Sequence, residues 1–377
     1  MRTSSLAAAV VALALAAPSI PGQDAPWTAA TPDHAWSFPR DHWGHDGYRN
    51  EWWYFTGRLQ DVGDPARSFG FQFTLFRIGL HTGSSDLDSA WASRNLLMGH
   101  ASISDLAGKE HRFSEVLARQ APFLAEIAPF PERPVAWVRA PAGTPGRWTV
   151  DWDGEGYRFA MRDDRHGIAF DLATRPAKPL VLQGPNGFSR KAPGDERASL
   201  YFSFTRLATE GTVTLDGKTY RVRGTAWMDK EFSSNALDEG QVGWDWFSLR
   251  LRDGRDLMLY GLRRADGTFD FRSGTVVAAD GTARYLQPTD WTSTASATWT
   301  SKGTGATYPA RWTIAIPSEG LTLDVVPEFP DQENRSRVGG GLHYWEGAVR
   351  ALDSRGIEIG EGYVELTGYG EGNRPPV

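Results

Sequence analysis

A chain of 377 residues is too long for one ordinary core and suits two domains. Its net charge of −6, with Lys and Arg scattered, leaves no basic excess to neutralise phosphates and argues against a nucleic-acid partner. With no cysteine, thiol nucleophiles, cysteine metal sites, thiol-linked lipid anchors and disulfides are all excluded. The unusual figure is 16 Trp within an aromatic content of 12%, which goes with large cores and apolar cavities.

At the N-terminus, Arg2 precedes an apolar run from Leu6 to Ala17, followed by Pro18 and Pro21. The run is short for a bilayer span and has the pattern of a secretory signal, with small residues at Ala14 and Ala16 for cleavage. We assign residues 1–22 to a signal peptide, and so expect a periplasmic or secreted protein with no membrane span. Next comes "RDHWGHDGYR", whose Asp41, His42, His45 and Asp46 suggest either a metal site or a polar loop capping a barrel. No partner motif completes a four-ligand metal set, so the loop is preferred and no metal or other cofactor is expected.

The following stretch, "YRNEWWYFTGRL", reads as a strand in which Glu51, Trp53 and Phe55 share one face and Trp52, Tyr54 and Thr56 the other. In "FGFQFTLFR", Phe69, Phe71, Phe73 and Leu75 share a core face. His100, after an apolar run, is a pocket base or donor, or a hydrogen-bonded core residue. Phe113 to Ala128 reads as a short helix or an irregular connection. Beyond it, Asp-Gly pairs at 153–154, 216–217, 253–254, 266–267 and 280–281 mark tight hairpins between alternating segments. The fold class is therefore all-β, built of antiparallel meanders that close into barrels or pack as sandwiches. The polar connection "SSNALDEGQ" divides residues 23–235 from residues 236–377.

The richest segment is "GTAWMDKEFSSNALDEGQVGWDWFSLRL". Extended, it places Trp227, Asp229 and Glu231 on one face, and later Trp244 with Trp246. A carboxylic acid in an apolar cavity stays protonated at neutral pH, and indole faces favour a developing cation. That combination can protonate a carbon–carbon double bond. The competing reading pairs the acids with Arg77, Arg206 or Lys230 and uses the tryptophans as inter-domain core. Tyr201, Tyr260, His343, Tyr344 and Glu346 are weaker pocket candidates. No Gly-x-Ser-x-Gly elbow, His-Glu-x-x-His helix or P-loop occurs.

The pieces "FPRDHWGHDGYRNEWWYFTGRL", "FGFQFTLFR", "GTAWMDKEF", "GWDWFSLRL" and "YWEGAVRALDSRGIEIGEGYVELTGY" resemble the AttH-like proteins, related to carotenoid 1,2-hydratases. The resemblance implies two lipocalin-like β-barrels, a hydratase-type N-terminal one and a second behind it. It also implies fungal relatives similar to Diels–Alderases, which fold polyenes between the two domains. In the carotenoid branch the place of Trp227 to Phe232 reads Tyr-His-Asp-His-Asn-Trp, so only Asp229 is kept. That branch also has an acid two residues after a downstream tyrosine, where Leu262 follows Tyr260 here. The AttH side of the family fits better.

The sequence thus predicts an apolar small-molecule ligand, isoprenoid, lipid or polyene, in an acid-lipped pocket. Asp229 and Glu231 are the catalytic candidates; Glu51, Trp53, His100, Trp227, Trp244, Trp246 and Tyr260 are the ligand-binding ones. Non-hydrolytic chemistry at an alkene, such as hydration or isomerisation, competes with a non-catalytic lipocalin-like carrier. A scaffold or sugar-binding protein would instead carry its tryptophans on an open face. Nothing in the sequence sets the oligomeric state.

Overall fold

The computed structural model describes residues 26–83, 89, 92–194, 197–235, 237–338, 341–370 and 372–375. The signal-peptide segment lies outside the described residues. Among those described, no helix is long and apolar enough to cross a membrane.

Two antiparallel sheets divide the chain, the first ending at Ser233 and the second beginning at Gln241. Across the first, the neighbours run Glu110–Arg119, Asn95–Asp105, Ser68–Gly79, Asn50–Asp61, Lys218–Ser233, Ala198–Leu215, Ile168–Pro176, Tyr157–Asp163, Arg147–Trp152, Ala136–Arg139 and Ala125–Ile127. The sheet curls until Glu110–Arg119 meets Ala136–Arg139, so its two ends nearly close a barrel. In the second sheet, Gln241–Leu251 and Glu358–Leu366 pair centrally, with Asp256–Arg264 outside one and His343–Leu352 outside the other.

All five Asp-Gly pairs join consecutive antiparallel strands, and each glycine has positive φ. At 216–217 the aspartate has positive φ too, which a two-residue twisted hairpin requires. Of the two readings for Phe113 to Ala128 the helix fails, while residues 120–124 form an irregular connection. The first part of the segment completes the strand Glu110–Arg119, paired residue by residue with Asn95–Asp105. Charged residues on that strand's outer face hide the period-two signal, because little of that face is buried.

Phe69, Phe71, Phe73 and Leu75 point into the first barrel and are fully buried, each contributing roughly 1.5–3 kcal/mol. A second core fills the other sheet around Phe247, Trp312 and Trp345. A third lies between the sheets and joins Tyr54, Tyr201, Trp227, Trp246, Tyr260 and Tyr363. Six tryptophans, Trp53, Trp148, Trp227, Trp291, Trp312 and Trp345, are fully buried, which contradicts an open aromatic face.

Candidate active site

The strand Lys218–Ser233 alternates as the sequence predicts. Met228 and Phe232 point into buried apolar clusters, while Trp227, Asp229 and Glu231 face the second sheet. Its register sets Asp229 between Tyr54 and Ser203, and Glu231 between Trp52 and Tyr201. Thr74 and His100 extend the Asp229 row through the next two strands. A bulge between Phe204 and Leu207 interrupts the neighbouring strand just beyond Ser203. From the second sheet, Tyr260, Trp246, Glu365 and Glu346 form an equivalent row across four strands.

The two rows enclose a cavity of about 150 Å³, a volume that can hold one ring. Trp52, Tyr54, Phe76, Tyr201, Trp244 and Trp246 give it apolar walls. Tyr54 packs edge-on against Trp246 with ring centroids 5.2 Å apart, and Trp227 does so from behind at 6.2 Å. Tyr54 also donates its hydroxyl to Glu346 Oε1 at 2.8 Å, tying the sheets together across the site.

Three acids in this cavity are pushed toward the neutral form. Burial lifts the Asp229 carboxyl to about 7, against hydrogen bonds from Ser203, Trp227 and Tyr201. Ser203 Oγ donates to Asp229 Oδ1 at 2.5 Å and Trp227 Nε1 at 2.7 Å. Burial likewise lifts Glu365 to about 7, opposed by the Trp244 N–H at 3.0 Å. Glu346 is raised well above the carboxylate range by burial and then by Glu365, with Tyr54 pulling the other way. Glu231 differs in its partners. Lys191 Nζ is 2.7 Å from it, Ser199 donates to it, and the same ammonium lies 4.6 Å above the Tyr260 ring. Tyr260 lines the cavity, with its hydroxyl donated to the Arg190 carbonyl and 3.1 Å from Ser189 Oγ.

Asp229, Glu231, Trp244, Trp246 and Tyr260 therefore meet in one cavity, but four expected residues do not line it. Glu51 and Trp53 lie on the opposite face of their strand. Glu51 is fully buried against Lys230, with Arg77 Nε at 2.9 Å and His45 Nδ1 at 2.7 Å. Burial alone would raise its carboxyl, yet Lys230, Arg77 and His45 together hold it well below its ordinary value. Trp53 stacks under the Lys230 ammonium at 3.6 Å and donates its N–H to the His42 carbonyl. The alternation holds, aromatics occupy both faces, and it is Trp52 and Tyr54 of the other face that line the cavity. Trp227 sits behind Asp229 and Trp246. His100 sits behind Tyr344, its Nδ1 2.8 Å from the tyrosine hydroxyl, and burial drops its pKa to about 3.

In the "RDHWGHDGYR" loop, both His45 nitrogens are committed, to Glu51 and to Asp41 at 3.3 Å, and His42 Nδ1 meets the Tyr157 hydroxyl at 2.8 Å. Glu346, Tyr344 and Tyr201, weaker candidates in the sequence, line this cavity, as do Glu365, Lys191, Trp52 and Tyr54, which the sequence reading does not select. The available signal for Glu365 was the alternation in "GYVEL", which puts it on the face opposite Val364 and Leu366.

Fold and site define an all-β, lipocalin-like protein with an acid-lined cavity between two face-packed sheets. The chain belongs to the AttH-like family, which it matches over residues 29–369. It is similar to an AttH protein of Nitrosomonas europaea, at 33% identity and a TM-score of 0.77, over 91% of this chain and 99% of that one. The fold also matches kievitone hydratase of Nectria haematococca at 16% identity and a TM-score of 0.64, covering 92% and 96%. Among sequences, the dehydratase AsqC of Emericella nidulans is 23% identical over 345 residues, 83% of this chain and 92% of the relative.

Proposed function

We propose that the protein adds water to, or removes it from, a carbon–carbon double bond of an apolar small molecule held between the sheets, with Asp229 as proton donor. The observation that carries this reading is the placing of Asp229: a buried carboxyl beside Tyr54 and Tyr201, with no cation bonded to it among the described residues, in a cavity walled by tryptophan. In the hydration direction, the alkene π pair takes the Asp229 proton on one carbon. The cation left on the other carbon faces the indoles of Trp244 and Trp246. Water adds there, and its surplus proton returns to the Asp229 carboxylate, so the net change is one water added. Dehydration runs the same steps backwards. Glu231, ion-paired with Lys191, positions that lysine over Tyr260 instead of giving up a proton.

Two relatives support the direction of this reading: one is named a hydratase and another a dehydratase, the two senses of one reaction. The apolar run Leu6 to Ala17 supports export and action in the periplasm or outside the cell. The test is incubation with a panel of apolar alkenes and their tertiary alcohols in ¹⁸O-labelled water. The wild type should yield labelled alcohol from at least one member, and Asp229→Asn should yield none. Tight binding of the panel without any label in product would replace the enzyme with a carrier.

A further inference from the structure

The second sheet holds a cavity of its own, of about 800 Å³, that shares no lining residue with the inter-sheet site. Small-molecule sites run from about 300 to 1,000 Å³, so its size is ordinary for one. Its rim is exposed at Asp266, Gly267 and Ala295, and Trp312 is buried at its floor. Deeper in stand two charged side chains, Asp245 and Arg263, on neighbouring strands and only 4% and 6% exposed. They point to the same side as Phe247 and Leu259, the core side of the sheet. Arg263 Nε lies 3.4 Å from Asp245 Oδ1, and the Tyr369 hydroxyl donates to the same oxygen at 2.8 Å. Arg263 Nη2 donates to the Thr367 carbonyl, and the guanidinium rests 3.7 Å over the Tyr369 ring. Asp245 Oδ2 and Arg263 Nη1 are left without a protein partner among the described residues, yet neither is sealed in: both keep open surface where their side chains line the cavity.

We propose that this cavity is a second ligand site that takes a polyhydroxylated molecule, a short saccharide, with Asp245 Oδ2 accepting from one hydroxyl and Arg263 Nη1 donating to its neighbour. Charge around the cavity balances, with Asp245 and Asp266 against Arg263 and Arg374, so neither an anion nor a cation is favoured. A hydroxyl both accepts and donates, so adjacent hydroxyls satisfy the two free atoms without breaking the ion pair or adding charge. The rim of glycine, serine and alanine gives a long apolar molecule little to bury against. Phe269 supplies an aromatic wall for the C–H face of a sugar ring. Tyr369 acts as a positioning residue: it holds Asp245 Oδ1 and stacks on the guanidinium, which leaves the other oxygen and Nη1 for the ligand. The site stands apart from the alkene chemistry, since Asp229 and its neighbours lie in the other cavity.

Calorimetry on the full chain tests this with maltotriose, cellotriose and chitotriose, and with glutamine as a small zwitterion for comparison. At least one trisaccharide should bind, and glutamine should not. Asp245→Asn keeps the shape of the side chain but removes its charge, and should weaken saccharide binding about tenfold, the worth of one hydrogen bond to a charged acceptor. Ala295→Trp fills the exposed rim without touching the ion pair, and should abolish binding at an unchanged melting temperature. That second variant decides the matter if Asp245→Asn proves unstable. No binding of any of the three sugars to the wild type overturns the proposal. Saccharide binding that survives Ala295→Trp overturns the placing of the site, and binding of glutamine alone overturns the class of ligand. Hydration or dehydration of the alkene panel should be the same in Ala295→Trp as in the wild type, and a parallel loss of both would contradict two separate sites.

Discussion

Asp229 and Glu231 stand two residues apart on one face of one strand, and Lys191 closes an ion pair at 2.7 Å with Glu231, not with Asp229. Among the described residues the donors bonded to Asp229 are neutral: the hydroxyl of Ser203 and the indole N–H of Trp227 share its Oδ1, and Tyr201 adds a third. A single lysine thus separates an acid that can give up a proton from one that holds a cation in place. The same strand alternates these two with Lys230, which points the other way into the Glu51 pair.

Asp229→Asn should remove turnover and leave folding nearly unchanged. Ser203 and Trp227 donate to Oδ1, which an asparagine retains as its carbonyl oxygen. Loss of a positioned acid lowers rates by about 10²–10⁴. Thermal melting together with binding of the alkene panel checks the second half, and a large fall in melting temperature would assign Asp229 a structural role instead.

The raised carboxyls of Asp229 and Glu365, both about 7, fix the sign of the pH dependence. Below about pH 4, folded and unfolded chains both carry these protons. Between there and about pH 7 only the folded state keeps them, so stability falls as pH rises through that window and then levels. Denaturant midpoints measured across the window should show this fall, and Asp229→Asn should flatten part of it. Turnover should follow one deprotonation near pH 7 and be lost on the alkaline side.

Glu51→Gln should damage stability rather than ligand binding. It leaves the buried ammonium of Lys230 and the guanidinium of Arg77 without their shared counter-charge. Removing one partner of such a pair costs about 3–5 kcal/mol. Urea unfolding reads the cost. Affinity of the folded protein for the alkene panel should be unchanged, because Glu51 faces away from the cavity.

Much of the fold was legible because it rests on local signals. The Asp-Gly turns need only their own φ values, and the Phe69, Phe71, Phe73 and Leu75 row needs only period two. The site was half legible. The alternation that sets Asp229 and Glu231 on one face marks one wall. Which face of Glu51 to Thr56 lines the cavity is hidden, since both faces are buried and both carry aromatics. Arg77 and Lys230, the partners that settle it, lie 26 and 179 residues away and arrive through strand register. The opposite wall, Glu346 and Glu365, is a cross-strand pair more than 100 residues from Asp229, visible only once the second sheet is folded.

Gly70→Ala tests the face-to-face packing that makes the cavity. A Cβ at Gly70 would stand 2.6 Å from the Tyr363 hydroxyl and 3.1 Å from Ala348 Cβ, both on the second sheet. The sheets must separate slightly or Tyr363 must turn, at a cost of about 1–3 kcal/mol. A lowered melting temperature with weakened binding of the alkene panel is expected, and an unchanged protein would mean that the two sheets do not press together there.

The central claim is that Asp229 is still a neutral acid at pH 6 and gives up its proton near pH 7, and infrared spectroscopy reads this without any ligand. The difference spectrum of wild type minus Asp229→Asn near pH 6 should contain the C=O stretch of a protonated, buried carboxyl, fading with a midpoint near pH 7. A difference spectrum showing only carboxylate bands at pH 6 would contradict the account, because Asp229 would then have no proton to give.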